Sequence, residues 1–220
     1  MESRSTHFIF DGKKIVISPD LLLTFGFLQE IEKEIESLLV NLAKPLINHA
    51  IRSKFIVLFA NLETLLRLNF AYENKIDDGE KIRKLTLDQK VWESFYNNFC
   101  LSINNQWIHK NRLRLKNITA QDLRYLRNSL THFFSLDVGL QIADATFDQK
   151  SRKLEQDFKV QFISPEDLYD IIKGAAMLMM KKWSDEYLSC LEINSSEFKE
   201  RIIAVNTLVK NSGAIAVQGE

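Results

Sequence analysis

Glycine and proline are scarce in this sequence, seven and three among 220 residues, whereas average usage would put the two together at about 12%. A chain so poor in turn-formers favours long helices and argues against an all-β architecture. Cysteine is nearly missing too. Cys100 and Cys190 stand far apart, without the spacing of a zinc site or the density of a disulfide scaffold, and read as two buried apolar thiols in a reducing compartment. Net charge is also absent, 29 basic residues facing 29 acidic ones. No global field therefore draws in a polyanion, and any such binding must come from a local patch. Long uncharged apolar runs are lacking as well: the stretch from Phe55 to Phe70 is broken by Glu63 and Arg67, short of what an uncharged membrane span needs. The opening MESRSTHFIFDG has no apolar core of a secretory signal. A soluble, cytoplasmic protein with no membrane segment is expected.

What is present is ordinary for a folded protein: 45% hydrophobic and 26% charged residues, enough for one buried core. A single domain over residues 1–210 with a loose tail over 211–220 is the expected organisation. His7 to Phe10, then Asp11-Gly12, then Lys13 to Ile17 reads as a hairpin over 7–17, because Asp-Gly supplies the positive φ angles of a tight turn. Ser18-Pro19-Asp20 opens the first helix, which runs to about Ala43; its Glu30, Glu32, Glu34 and Glu36 read as a solvated face. A second helix from about Pro45 to Glu73 repeats Phe55, Leu58, Phe59, Leu62, Leu65 and Leu66 at helical spacing. Asn74 to Lys84 reads as a loop, followed by a third helix from Thr86 or Leu87 to about Ile103 that buries Val91, Trp92, Phe95 and Phe99. After a fourth helix, Val138 to Ile142 and Phe158 to Phe162 alternate apolar and polar residues as half-exposed strands do, and are read as an inserted hairpin over 138–163. Ser164-Pro165-Glu166-Asp167 combines an N-cap serine, a first-turn proline and acids that suit the helix dipole. It opens a helix to about Leu191, in which Met177, Met179 and Met180 read as core filler. A last helix ends near Lys210. The fold class is thus all-α, about six helices with two small β-hairpins.

The fourth helix, Thr119 to Ser135, carries the chemistry. On a wheel advancing about 100° per residue, Leu123, Leu126, Leu130, Phe133 and Phe134 share one apolar arc, and Arg127, Thr131, Arg124, Asn128 and His132 occupy the polar one. Arg127 and His132 lie about 140° apart, while Asn128 and His132 are i,i+4 neighbours. A long arginine leaning across this face would present guanidinium, amide and imidazole together. That surface lies outside a monomer core, so a second surface is needed to enclose it. Just upstream, Lys110, Arg112, Arg114 and Lys116 join Arg124 and Arg127 against one acid, Asp122, a local basic excess that could follow an RNA backbone. Glu63 sits in an otherwise apolar helix segment, where an acid has a partner. Arg67 at i+4 is the nearest, and Arg127 or His132 the alternative. Neither the four histidines nor any other residues form a recognisable metal site, and no phosphate loop or serine nucleophile elbow is present.

Arg127-Asn128-x3-His132 on an amphipathic helix of an all-helical chain resembles the motif of the HEPN superfamily, many of whose members are metal-independent ribonucleases. The resemblance covers the motif helix, and the other helices agree in number and length. It implies a homodimer in which two motif helices share a cleft, with RNA as substrate, no cofactor, and Arg127, Asn128 and His132 as catalytic residues. A toxin or antiviral defence role with an antitoxin or defence partner would accompany it. One branch of the family has a tyrosine two residues after the histidine, where this chain has Phe134. The chemistry implied is in-line: a neutral imidazole, with an ordinary pKa of about 6.5, takes the ribose 2′-OH proton, and the alkoxide attacks phosphorus to leave a 2′,3′-cyclic phosphate. Arginine suits the developing charge because its planar donors hold two phosphoryl oxygens at once. The plainer alternatives are a non-catalytic dimeric module that binds RNA or a protein through the same face, and a structural dimer seam.

Overall fold

Gly12 takes φ +71°, a region open to glycine because it lacks Cβ, and the chain reverses there. Strand β1 (Thr6–Phe10) pairs antiparallel with β2 (Lys13–Ile17), Phe10 opposite Lys13 and Thr6 opposite Ile17, so the expected N-terminal hairpin is present. The computed structural model describes residues 6–10, 12–41, 50–101, 118–131, 140–142, 161–190 and 196–211. Phe10 and Ile17 point into the core, and the Ser184 hydroxyl ties the hairpin to a later helix by donating to the Val16 carbonyl.

The rest is mostly helical, with seven α-helices among the described residues. Ser18 caps a short 3-10 turn (Pro19–Leu21) by accepting from the Asp20 amide at 3.3 Å, and the turn runs into α1 (Leu22–Asn41). Helix α2 (Ala50–Asn74) is the axis of the fold. Phe55, Leu58, Phe59, Leu62, Leu65 and Leu66 are all buried, as their spacing predicts, and each contributes roughly 1.5–3 kcal/mol relative to an exposed side chain. By length and apolarity its Ser53–Asn74 stretch, of mean hydropathy 1.3, is long enough to cross a membrane, and half of it is buried within this fold. The helix ends on Lys75 at φ 55°, with the Ile76 amide donating back to the Ala71 carbonyl at 3.2 Å, the closure seen where a chain leaves a helix through the left-handed region.

Asn74 to Lys84 is not simply a loop. Asp78 accepts from the amides of Glu80 and Lys81 at 2.9 and 3.1 Å and starts α3 (Gly79–Leu85). The same Asp-Gly pair that favours a turn here serves as N-cap and first residue, because Ile82 has a core to enter. Asp88 caps α4 (Gln89–Phe95), a little later than expected, and a π-helical turn over Tyr96–Cys100 continues it. Trp92, Phe95 and Phe99 are buried. Next comes α5 (Ala120–Thr131).

Strands β3 (Leu140–Ile142) and β4 (Gln161–Ile163) do pair, but in parallel, Leu140 opposite Gln161 and Ile142 opposite Ile163, so the inserted hairpin over 138–163 is corrected. Alternation of apolar and polar residues fixes which faces are covered and leaves strand direction open. A parallel pair needs a crossover of a dozen residues or more, and the 18 residues between Ile142 and Gln161 suffice. Ser164 then opens α6 (Pro165–Cys190). It accepts from the Asp167 amide at 3.1 Å while Asp167 accepts from the Ser164 amide at 3.0 Å, a reciprocal cap. The last helix is α7 (Ser196–Asn211); residue 211 thus belongs to a helix, and 212–220 lie outside the described residues.

Helix α2 packs against α6 and α7 most extensively, and against α1, α3, α4 and α5. At the centre, Trp183 stacks on Tyr72 with centroids 4.6 Å apart. The Tyr72 hydroxyl donates to Glu186 at 2.7 Å, and Arg201 reaches the same carboxylate at 3.0 Å. Burial, then the Glu186 charge, push the Tyr72 phenol up. The α1 acids are only partly a solvated face: Glu32 pairs with Lys173 of α6 at 3.0 Å and Glu36 accepts from Tyr169 at 2.7 Å, which locks α1 to α6. Met179 and Met180 are core residues.

Of the two thiols, Cys100 is buried, as expected, and Cys190 is half-buried. Burial alone pushes the Cys100 thiol up, and a buried thiol of this kind is inert. A chromogenic disulfide reagent at pH 8 should therefore titrate one thiol in the native protein and two after unfolding, and Cys190→Ser should remove the native reaction. Fast reaction of two thiols in the folded state would contradict the packing of α4 and its π turn.

Candidate functional site

Helix α5 begins with a cap that the sequence carries as Thr119-x-x-Asp122. Asp122 accepts from the Thr119 amide and hydroxyl at 2.8 and 2.7 Å, and the Asp122 amide donates to the Thr119 hydroxyl at 3.2 Å. From that start Leu123 and Leu126 point into the core and Leu130 packs partly against it, as the wheel predicts, with α2 and α4 as neighbours. Their burial fixes the rotation of the helix. Arg127 and Asn128 consequently lie at its edge, toward α2.

Glu63 of α2 meets them there. The Arg127 Nε donates to Glu63 Oε1, and the same carboxylate accepts from Arg67 through its other oxygen, Nη2 to Oε2 at 3.1 Å. Arg127 Nη1 also donates to the Asn128 Oδ1 at 3.0 Å. Of the partners that the sequence leaves open for Glu63, the local Arg67 and the distant Arg127 both pair with it, because one carboxylate offers about four lone-pair sites, and His132 lies outside the described residues. Glu63 is only 14% exposed and Arg127 23%, so neither pair is a loose surface contact.

These residues open onto a cavity of about 310 Å³ within one chain, lined by Glu63, Leu66 and Arg67 of α2, Thr86 and Leu87 between α3 and α4, Trp92 of α4, and Arg124, Arg127 and Asn128 of α5. Arg124, expected to face RNA, uses Nη2 to donate to the Leu87 carbonyl at 2.6 Å and so pins α5 to the α3–α4 junction. The sequence places Arg127 and Asn128 on a face that only a second molecule would cover; the structure adds a wall from α2 and the α3–α4 junction of the same chain. Among the described residues this lining carries three guanidinium groups and one carboxylate.

Of the expected catalytic residues, Arg127 and Asn128 are thus brought together. His132 follows α5 in sequence and lies outside the described residues, as do Lys110, Arg112, Arg114 and Lys116. Among the described residues, no group of three or more His, Cys, Asp or Glu side chains is gathered as metal ligands would be. Arg67, Thr86, Leu87 and Trp92 are cavity residues that the sequence alone does not mark as such. The signal for Arg67 was available in the Glu63–Arg67 spacing inside an apolar helix; Leu87 and Trp92 depended on how α4 docks. No family model, curated protein or solved structure matches the chain.

Because Glu63 serves two arginines and Arg67 serves one acid, the two truncations should differ. Glu63→Ala should cost about 1–2 kcal/mol in chemical unfolding, below the figure for a fully buried pair because the groups are partly solvated. Arg67→Ala should cost less than about 0.5 kcal/mol. Equal losses would mean that Arg127 does not depend on Glu63.

Proposed function

We propose that this chain is a HEPN-type, metal-independent endoribonuclease that acts as a homodimer. The observation that carries the reading is the Glu63–Arg127–Asn128 arrangement: a guanidinium and an amide of the motif, held side by side at a cationic cavity. A preorganised donor of this kind stabilises charge without reorganising at the moment of reaction. In the proposed reaction His132 of one protomer takes the proton of a ribose 2′-OH, and the 2′-oxygen forms a bond to the adjacent phosphorus. The bond from phosphorus to the 5′-oxygen breaks, and His132 of the other protomer gives that oxygen its proton. The products are a 2′,3′-cyclic phosphate and a 5′-hydroxyl. Arg127 neutralises the charge growing on the phosphoryl oxygens, and Asn128, four residues before His132 in sequence, orients the imidazole or the phosphate. Lys110, Arg112, Arg114 and Lys116 would extend the basic track along the RNA. The setting implied by the resemblance is a toxin or antiviral defence effector, with an antitoxin or defence protein as its partner.

The same contacts also support a second reading. Arg127 is engaged by Glu63 and Asn128, as an arginine with a structural task would be, and this favours a non-catalytic dimeric module that binds RNA or a protein through the same face.

Product analysis separates the two. Purified protein with single-stranded RNA and a chelator should give cyclic-phosphate and 5′-hydroxyl ends, and His132→Ala should lower the rate by at least about 100-fold, the lower range for loss of an acid–base group. RNA left intact by the wild type would overturn the catalytic reading. Sedimentation as a monomer at micromolar concentration would overturn the shared cleft.

A further inference from the structure

The cavity beside Arg127 has a chemistry of its own. One wall is cationic, with Arg67, Arg124 and Arg127 on it, and Glu63, the one acid among the described lining residues, is shared by two of them. Its apolar lining is Leu66 and Trp92, both buried, with Leu87 57% exposed. Three guanidinium groups brought close together attract an anion jointly. An inorganic anion would use the arginines and leave the apolar lining idle. An apolar ligand would use the lining and bury charge at a loss. A nucleotide uses both, its phosphate on the guanidinium donors and its base against Trp92, Leu66 and Leu87. A cavity of about 310 Å³ is at the small end of ligand sites, which run from about 300 to 1,000 Å³. It suits one unstacked nucleotide and is too small for a duplex.

We infer that this cavity is a nucleotide subsite that holds one residue of single-stranded nucleic acid through Arg67, Arg124, Trp92 and Leu87. The inference rests on the ribonuclease reading only for where the subsite lies relative to the scissile bond, since its ligand chemistry comes from the cavity. In that reading it seats a nucleotide adjoining the cleaved phosphate and makes the protein specific for unpaired RNA.

The test uses the full chain and a fluorescent single-stranded hexadeoxyadenylate, which has no 2′-OH and cannot be cleaved, with binding read by anisotropy. Leu87→Glu places a negative charge at an exposed position and should keep its unfolding temperature, while weakening binding by about 10-fold or more. Arg67→Gln should weaken it similarly, and Arg67→Lys should restore part of the loss. Ile203→Glu, at a position 60% exposed on α7, should bind as the wild type does. No binding by the wild type, or equal binding by the wild type, Leu87→Glu and Arg67→Gln, would overturn the subsite. Selective weakening in a protein that leaves RNA intact would uphold the subsite and end the ribonuclease reading; RNA cleavage with unaltered oligonucleotide binding would do the reverse.

Discussion

A carboxylate in an apolar helix needs partners, and much of what is distinctive in this protein follows from where Glu63 finds them. Its two oxygens hold two guanidinium groups, Arg67 one turn along α2 and Arg127 across the gap on α5. The local pair satisfies the acid; the distant one joins helices separated by the whole α3–α4 segment. Because all three side chains are partly shielded, their attraction is screened less than that of surface pairs. Arg124 adds a second tie to the same helix through the Leu87 carbonyl. Together these two contacts set the width of the cavity, and the leucines Leu123 and Leu126 set the rotation of α5 behind it.

The remainder of the molecule holds α2 still. Helices α6 and α7 cover its far side, with the Trp183–Tyr72 stack at the centre and the Glu186–Arg201 pair at its edge. Lys173 and Tyr169 lock α1 onto α6 through Glu32 and Glu36. The candidate site lies at the margin of a well-filled core, where a cationic group can be oriented without being sealed from solvent.

Local rules made part of this legible in the sequence. Asp-Gly marked the first hairpin, Ser164 to Asp167 marked the start of α6, and the wheel of α5 separated Leu123 and Leu126 from Arg127 and Asn128. Each depends on residues within one turn of one another. What could not be read depends on distant docking. The alternation in β3 and β4 carries no information on strand direction, so a parallel pair and a hairpin have the same pattern there. Asp78-Gly79 has the composition of a turn and becomes a helix start because Ile82 can be buried. Glu63 has Arg67, Arg127 and His132 as possible partners, and nothing along the chain says that both arginines are within reach. The cavity is the extreme case, since its lining comes from three segments whose separate patterns give no sign that they meet.

Glu63 fixes Arg127 in place, and a double-mutant cycle measures that link. Glu63→Ala, Arg127→Ala and the double variant would be unfolded in urea alongside the wild type. A coupling free energy of at least about 1 kcal/mol is predicted, within the range for residues in one ion-pair network. A coupling within about 0.3 kcal/mol of zero, the additivity of independent sites, would contradict the account.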